Sequence, residues 1–165
     1  METILITGAL IRRDNEILLV EQQAPHDPNS NWALPGGRVE DGELLHDGLM
    51  REVWEETRLT VLEIGQVVYT CHIVDRQNNR QTLAIIHEVT AWEGQLGIND
   101  PDDLILTVKF CPREEAVENV GRGLNYAPMR DPIVAYLRGD VSAGATWLYE
   151  RTIEETIELV TQIGD

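Results

Sequence analysis

Residues Gly37–Leu59 read GRVEDGELLHDGLMREVWEETRL, and the second half of this stretch has the pattern of an amphipathic helix. Three aliphatic residues recur every fourth position and form one apolar stripe: Leu45, Leu49 and Val53. Three glutamates at spacing i, i+3, i+4 lie on or beside that stripe: Glu52, Glu55 and Glu56. The stretch therefore predicts a helix whose acidic side chains border the protein core.

These clustered carboxylates make the end of the helix a candidate metal site. Acidic groups held close together repel one another, and a divalent cation is the usual partner that makes such a cluster favourable. Arg51 stands one turn before Glu55 and is placed to pair with it. Gly48 lies on the same side of the helix and leaves room beside the carboxylates. The alternative interpretation is an ordinary amphipathic helix with an acidic flank.

The segment before the helix favours the metal site over that alternative. Pro35, Gly36 and Gly37 form a loop in which paired glycines permit backbone conformations and close approaches that other residues resist. Such a loop can present a carbonyl oxygen beside the glutamates. Carbonyl and carboxylate oxygens are hard ligands suited to Mg²⁺ or Mn²⁺.

The same residues resemble the Nudix box. Its pattern is Gly, five residues, Glu, seven residues, Arg-Glu, an aliphatic, any residue, Glu-Glu, any residue, Gly and a final aliphatic. The positions that match are Gly37, Glu43, Arg51, Glu52, Val53, Glu55, Glu56 and Leu59. The preceding Trp32-Ala33-Leu34-Pro35-Gly36 is the typical lead-in. The resemblance in element order extends from Thr3 to about Leu137.

One fixed position of the box departs from the family pattern, because Arg58 stands where the family usually has Gly. That Gly normally ends the helix in a left-handed conformation. Arg58 must therefore adopt an uncommon positive φ, or the helix must end differently.

The resemblance implies an α/β fold, an α/β/α sandwich with a mixed sheet. It also implies metal-assisted hydrolysis of a nucleoside diphosphate linked to another group, with Mg²⁺ or Mn²⁺ as cofactor. The implied metal ligands are the Gly36 carbonyl, Glu52, Glu55 and Glu56. Arg51 would orient a glutamate, Glu43 would support the helix or a ligand, and Asp103 is the best match for an additional acid from a distant loop.

The substrate is less defined than the chemistry. Nucleoside triphosphates, nucleotide sugars and ADP-ribose all fit the resemblance. Arg12 and Arg38 are candidates for phosphate contacts, and Trp32, Tyr69 and Tyr126 could stack on a base. Two other classes remain open: a Nudix-like regulator that binds a nucleotide without cleaving it, and an isomerase acting on a diphosphate.

Composition restricts the partners. The chain has 165 residues, a formal net charge of −16 and 42% hydrophobic residues, which suits one folded core. The negative charge argues against nucleic-acid polymers and anionic membranes as partners. No stretch approaches the roughly 20 apolar residues of a membrane span, so we expect a cytoplasmic protein. Cys71 and Cys111 are expected to be buried or free thiols rather than zinc ligands or a disulfide.

The remaining sequence predicts strands and helices in alternation. The predicted strands are Ile4–Ile11, Ile17–Gln22, Val61–Val74, Gln81–Trp92 and Leu104–Phe110, the third and fourth forming a hairpin. Short helices are predicted at Glu114–Asn119 and Asp131–Leu137. Residues 1–140 are assigned to the Nudix domain, and 141–165 to a C-terminal extension packed on it or at an oligomer interface, with a homodimer as one expectation. Within this extension, Trp147–Ile163 is predicted as an acidic helix, with strand as the alternative.

Overall fold

The computed structural model describes residues 1–123, 126–152 and 156–165. Nine strands and three helices follow one another in this part of the chain. The strands are β1 (Glu2–Arg13), β2 (Glu16–Gln22), β3 (Asn31–Ala33), β4 (Gly36–Arg38), β5 (Thr60–Asp75), β6 (Arg80–Glu93), β7 (Ile105–Pro112), β8 (Ala145–Arg151) and β9 (Ile157–Ile163). The helices are α1 (Leu45–Thr57), α2 (Arg113–Gly123) and α3 (Ala127–Arg138).

The sheet is mixed, with the strand order β3-β2-β1-β6-β5-β8-β9. The pairs β1–β6 and β5–β8 are parallel, and the pairs β1–β2, β5–β6 and β8–β9 are antiparallel. Two strands pair beside this path, β4 with β1 and β7 with β2. The predicted mixed sheet and the predicted β5–β6 hairpin are confirmed.

Two hydrophobic cores lie on opposite faces of the sheet, because neighbouring residues of a strand point to opposite sides. On β1, Ala9 and Ile11 join the core under α1, whereas Leu10 joins the core covered by α2 and α3. On α1, Leu49 and Val53 are fully buried in the first of these cores. The result is the predicted α/β/α sandwich.

The secondary structure of the C-terminal segment differs from the sequence prediction. Trp147–Ile163 was predicted as a helix, but the described parts of it belong to the strands β8 and β9, and residues 153–155 lie outside the described residues. β8 pairs in parallel with β5, and its Trp147 and Tyr149 are buried in the core. The segment forms a strand because β8 pairs with β5, which is distant in sequence, and this tertiary pairing overrides the local preference of the segment for a helix.

Smaller differences concern the ends of elements. β3 and β4, each three residues long, were not predicted, and the two short helices are longer than expected. Cys71 and Cys111 are buried free thiols, as predicted. Within the described residues, no helix has the length and hydropathy that crossing a membrane requires.

Candidate active site

α1 carries the acidic cluster at its C-terminal end. Glu56 lies one and two turns after the fully buried Val53 and Leu49, so its side chain points toward the core and is only 8% exposed. Its Oε2 accepts a hydrogen bond from the backbone N–H of Gly36 at 3.1 Å. The structure thus brings Gly36 and Glu56 together, with the amide of Gly36 facing the carboxylate.

Arg51 connects the acidic side chains of the box. Its Nε and Nη2 donate to the two carboxylate oxygens of Glu43 at 2.8 and 3.0 Å. Its Nη1 donates to Glu52 at 2.9 Å and to Glu55 at 3.4 Å. Its Nη2 also donates to the carbonyl oxygen of Arg38 at 2.9 Å, which ties α1 to the strand β4. Arg51 therefore positions three carboxylates and the preceding loop at once.

Three glycines provide the space that this arrangement requires. A Cβ on Gly37 would lie 2.5 Å from the carboxyl carbon of Glu52, and a Cβ on Gly48 would lie 2.9 Å from Glu43 Oε2. A Cβ on Gly36 would lie 2.7 Å from the Cα of Gly8 on β1. The first two glycines make room for acidic side chains, and Gly36 allows β4 to pair closely with β1.

Burial raises the pKa values of the acidic side chains, whereas hydrogen bonds with Arg51 lower them. Burial raises the pKa of Glu56 to about 8, and the amide of Gly36 only partly opposes this. Burial also raises the pKa of Glu52, although its bond with Arg51 counteracts the increase. Hydrogen bonds with Arg51 hold the pKa of Glu43 below its usual value. A cation near Glu52 and Glu56 would favour their ionised forms.

The loop before β7 brings further acidic residues to the cluster. The negative charge of Asp100 contributes to the raised pKa of Glu56, and that of Asp102 contributes to the raised pKa of Glu52. Asp103, the residue chosen from the sequence, lies in the same loop and has a left-handed φ of 55°. Its role as an additional acid stays a prediction, and sequence reasoning did not select Asp100 and Asp102.

Local hydrogen bonds explain the shape of this loop. Asp100 Oδ2 accepts from the backbone N–H groups of Leu104 and Ile105 at 2.6 and 3.1 Å, and its Oδ1 accepts from Asp102 at 3.0 Å. The backbone N–H of Asn99 donates to the carbonyl oxygen of Glu55 at 2.8 Å. The sequence Asp-Pro-Asp-Asp contained a signal for this turn, because Asp side chains commonly bond to backbone groups two residues on.

The three substrate-binding candidates from the sequence are not brought together. Arg12 donates to Glu88 at 2.5 Å and to the Tyr136 hydroxyl at 3.0 Å. Arg38 pairs with Glu2 at 2.9 Å in an exposed position. Trp32 packs against the core beside Lys109, whose Nζ lies 5.1 Å from the ring centroid.

A cavity of about 320 Å³ opens beside the acidic cluster. Gly36 and Gly37 line one end of it, and Tyr126, Pro128 and Met129 line another part. Three strands form its floor through alternate residues: Ile4, Ile6 and Gly8 on β1, Tyr69, Cys71 and Ile73 on β5, and Arg80, Thr82, Ala84 and Ile86 on β6. Both tyrosines named from the sequence line this cavity. Arg80 was missed, and the two-residue alternation of β6 was the signal that could have identified it.

The donor set fits a hard cation, although the side chains are not arranged around one. Among residues 1–123, 126–152 and 156–165, no three Asp, Glu, His or Cys side chains converge closely enough to hold one ion. Instead, the guanidinium of Arg51 lies between Glu52 and Glu55 and supplies the positive charge there. A nearby cation would favour the ionised form of the buried Glu56 carboxyl, whose pKa burial raises to about 8.

Comparisons with known proteins agree with this geometry. The sequence model of the family described as NUDIX domain matches residues 3–131. CTP pyrophosphohydrolase of Escherichia coli (strain K12) is 28% identical over 123 residues, which are 72% of this chain and 82% of the relative. ADP-ribose pyrophosphatase of Methanocaldococcus jannaschii is 30% identical over 92 residues, which are 55% of this chain and 53% of the relative. The crystal structure of a mutator MutT protein from Bacillus halodurans has the same fold, with a TM-score of 0.68 and 19% identity over 97% of this chain and 96% of that one.

The chain belongs to the Nudix family, and the named relatives of this chain include a pyrophosphohydrolase and a pyrophosphatase. The family match covers the acidic cluster, the loop before β7 and all of the residues that line the larger cavity of about 320 Å³. It ends before β8 and β9, which complete the sheet in this structure.

Proposed function

We propose that this protein is a metal-dependent hydrolase that cleaves a phosphoanhydride bond in a nucleoside diphosphate linked to another group. The observation that carries this proposal is the acidic cluster of α1, with the buried Glu56, at one end of a largely apolar cavity. The cluster suits a metal-bound diphosphate, and the cavity suits the organic part of the same substrate. Nucleoside triphosphates, nucleotide sugars and ADP-ribose all have this composition.

The residues that would hold Mg²⁺ or Mn²⁺ are Glu52, Glu55 and Glu56, with the Gly36 carbonyl as an additional oxygen ligand. A metal of this kind polarises phosphoryl oxygens and lowers the pKa of bound water. Glu56 supports this assignment, because a carboxyl with a pKa of about 8 is largely protonated at neutral pH unless a cation is near. Asp100 and Asp102 add negative charge on the loop side of the cluster.

Arg51 and Glu43 are positioning residues in this proposal. Arg51 holds Glu52 and Glu55 on one side of α1, and the forked bond with Glu43 fixes the guanidinium. Loss of Glu43 would release Arg51 without removing an oxygen ligand. We therefore expect Glu43→Gln to weaken metal binding less than Glu55→Gln or Glu56→Gln.

The substrate site in this proposal is the cavity rather than the positions of Arg12, Arg38 and Trp32. Arg12 and Arg38 are engaged in ion pairs with Glu88 and Glu2. Asp103 stays our candidate for an additional acid from the loop before β7. The substrates named for the relatives, CTP and ADP-ribose, both contain a nucleoside diphosphate and fit the same description.

A substrate panel with defined metals tests this proposal. Nucleoside triphosphates, nucleotide sugars, ADP-ribose and dinucleoside polyphosphates are incubated with Mg²⁺ or Mn²⁺, and the products are separated. We expect Glu55→Gln and Glu56→Gln each to lower turnover at least about a hundredfold while the protein stays folded. Glu114→Gln, which removes an exposed carboxylate from the first turn of α2, is the matched control. Full activity in either cluster variant would reject the site.

Product analysis separates this function from the two alternatives. Hydrolysis yields a phosphomonoester or inorganic phosphate species, an isomerase preserves the diphosphate, and a regulator leaves its ligand unchanged. The complete set of box acids favours hydrolysis, since it retains every charged group of the motif. We also propose that the protein acts in the cytoplasm on small phosphorylated substrates, rather than on nucleic-acid polymers or membranes, and a homodimer stays a prediction.

A further inference from the structure

A second cavity adjoins the one described above at the end remote from the acidic cluster. Its volume is about 180 Å³, and four of its lining residues also line the larger cavity: Ile73, Arg80, Thr82 and Tyr126. Asp75, Arg151 and Ile157 complete its wall. Arg80 therefore lies where the two cavities meet.

The side chain of Arg80 lies on the cavity side of the sheet. Arg80, Thr82, Ala84 and Ile86 alternate along β6, and all four line the larger cavity. Residues two apart on a strand share one face, so this pattern places the Arg80 side chain with the others. Arg80 as a whole residue is half-buried.

Within the part of the chain that the structure describes, Arg80 makes no ion pair and no side-chain hydrogen bond. Asp75 lies directly opposite Arg80 on β5 but is engaged elsewhere. Its carboxylate accepts from Asn78 at 2.8 and 3.0 Å and from Arg151 Nη1 at 3.2 Å. A guanidinium without a partner has five N–H donors to offer to a ligand in the cavity that Arg80 lines.

The position of Arg80 along the sheet fits the length of a nucleotide. Gly36 pairs with Gly8, and Gly8 is in register with Ile86. Arg80 precedes Ile86 by six residues on β6, which corresponds to about 20 Å along the strand. A diphosphate, a sugar and a base laid in series span such a gap once the extended arginine side chain is included.

We propose that Arg80 recognises the edge of the substrate's base and selects a base with two adjacent acceptors. This inference rests on the proposed function, because the diphosphate must lie at the acidic cluster for the base to reach Arg80. The apolar walls of the larger cavity suit the faces of a planar base rather than a second charged group.

The guanidinium fork then defines the class of base. Guanine presents O6 and N7 as neighbouring acceptors, and cytosine presents O2 and N3 in the same way. Adenine presents an amino donor beside N7, which opposes an arginine donor. The expected substrates are therefore guanine or cytosine nucleotides, and adenine nucleotides are disfavoured.

Binding of nucleoside monophosphates tests this inference without requiring turnover. Dissociation constants for GMP, CMP, AMP and ribose 5-phosphate are measured by calorimetry for the wild type and for Arg80→Met. We expect the wild type to bind GMP or CMP at least about tenfold more tightly than AMP. In Arg80→Met this ratio should fall below about twofold, because affinity for GMP and CMP decreases while that for AMP is unchanged.

Arg76→Met is the matched control, since it removes the same charge from the same hairpin. Arg76 is exposed, pairs with Glu150 at 2.7 Å and lines neither cavity. Its binding ratios should equal those of the wild type. Matching circular dichroism spectra and urea midpoints establish that Arg80→Met is folded.

Three results would overturn the inference. The wild type could bind none of the three monophosphates or bind all of them equally, or the base preference could persist in Arg80→Met. In the third case, Arg80→Met would lose the same factor in affinity for every ligand, including ribose 5-phosphate. The last result would mean that Arg80 attracts the phosphate and does not recognise the base. Hydrolysis of all nucleoside triphosphates at equal rates would leave the proposed function intact and reject only the role of Arg80. Selective binding of one base without any hydrolysis would support the role of Arg80 and reject the proposed function.

Discussion

Two adjacent glycines should respond very differently to the same substitution. Neither Gly36 nor Gly37 has a positive φ, so the effect of an added methyl group depends on space and not on backbone strain. In Gly36→Ala the new Cβ collides with the Thr7 carbonyl oxygen and lies 2.7 Å from the Gly8 Cα. In Gly37→Ala it lies 2.5 Å from the carboxyl carbon of Glu52.

The nature of the colliding atoms determines the expected result. Backbone atoms of β1 cannot move without breaking the β1–β4 pairing, so Gly36→Ala should cost about 3 kcal/mol of stability, the upper end for overpacking. The Glu52 carboxylate ends a flexible side chain and can rotate away. Gly37→Ala should therefore leave stability within about 1 kcal/mol of the wild type. Displacing this carboxylate by about 1 Å or more should lower turnover on the order of a hundredfold.

Urea unfolding and steady-state kinetics on the same two variants test this prediction. With a slope of about 2 kcal/mol per molar urea, Gly36→Ala should lower the midpoint by about 1.5 M. Gly37→Ala should keep the wild-type midpoint and require more Mn²⁺ for half-maximal activity. The reasoning is refuted if Gly36→Ala is as stable as the wild type, or if Gly37→Ala keeps wild-type turnover and metal dependence.

Three further predictions concern charge, backbone strain and metal dependence. Because burial raises the pKa of Glu56 to about 8, the metal-free protein should lose stability as pH rises from about 4.5 to 8, by at most about 1.4 kcal/mol per pH unit. In Glu56→Gln the urea midpoint should lack this pH dependence. Equal pH profiles for the two proteins would contradict the prediction. Arg58→Gly should leave stability nearly unchanged, because the release of about 1 kcal/mol of left-handed backbone strain offsets the loss of the cation–π contact with Trp54. Arg58→Ala should lower the melting temperature. A more stable Arg58→Ala than Arg58→Gly would count against strain at this position. Turnover should vanish in chelator and should return with Mg²⁺ or Mn²⁺ better than with Zn²⁺. It should also increase toward alkaline pH. Activity that survives chelation or peaks near pH 5 would contradict the metal mechanism.

The acidic helix could be predicted because its signals are local. The apolar stripe of α1, the spacing of its glutamates and the glycines before it all lie within one short segment. The long hairpin of β5 and β6 could be predicted for the same reason, since its two β-branched runs flank a short turn. Local patterns of this kind do not depend on which distant element packs nearby.

The C-terminal strands could not be settled from local charge alone. The acidic residues of this segment suggested a helix, but Ala145, Trp147 and Tyr149 are buried at alternate positions of β8. This two-residue period becomes decisive only when β5 is available as a parallel partner. The helical prediction was wrong because the backbone groups of β8 form their hydrogen bonds with β5. The presence of β5 beside this segment cannot be inferred from the segment alone.

The cavity was hidden for a related reason. Arg80 follows a turn at the end of a strand, where an exposed arginine is ordinary in sequence. The alternation along β6 places Arg80 on the same face as Thr82, Ala84 and Ile86, and the register between β1, β5 and β6 makes this face the floor of the cavity. The charge effects of Asp100 and Asp102 on Glu56 and Glu52 could not be predicted, because they depend on the turn that Asp100 organises and on the contact of Asn99 with α1.

The departure of Arg58 from the family pattern is accommodated by contacts on both sides of the helix end. Arg58 adopts the left-handed conformation, with φ 65° and ψ 9°, and its guanidinium lies 4.5 Å from the Trp54 ring centroid. Gly97 provides room, because a Cβ there would lie 3.0 Å from Arg58 Cγ. The Gly97 N–H donates to the Thr57 carbonyl oxygen at 3.0 Å, and the Asn99 N–H donates to that of Glu55. The segment that caps α1 thus leads directly into the loop of Asp100 and Asp102, so the end of the helix and the outer acids of the cluster are positioned by the same contacts.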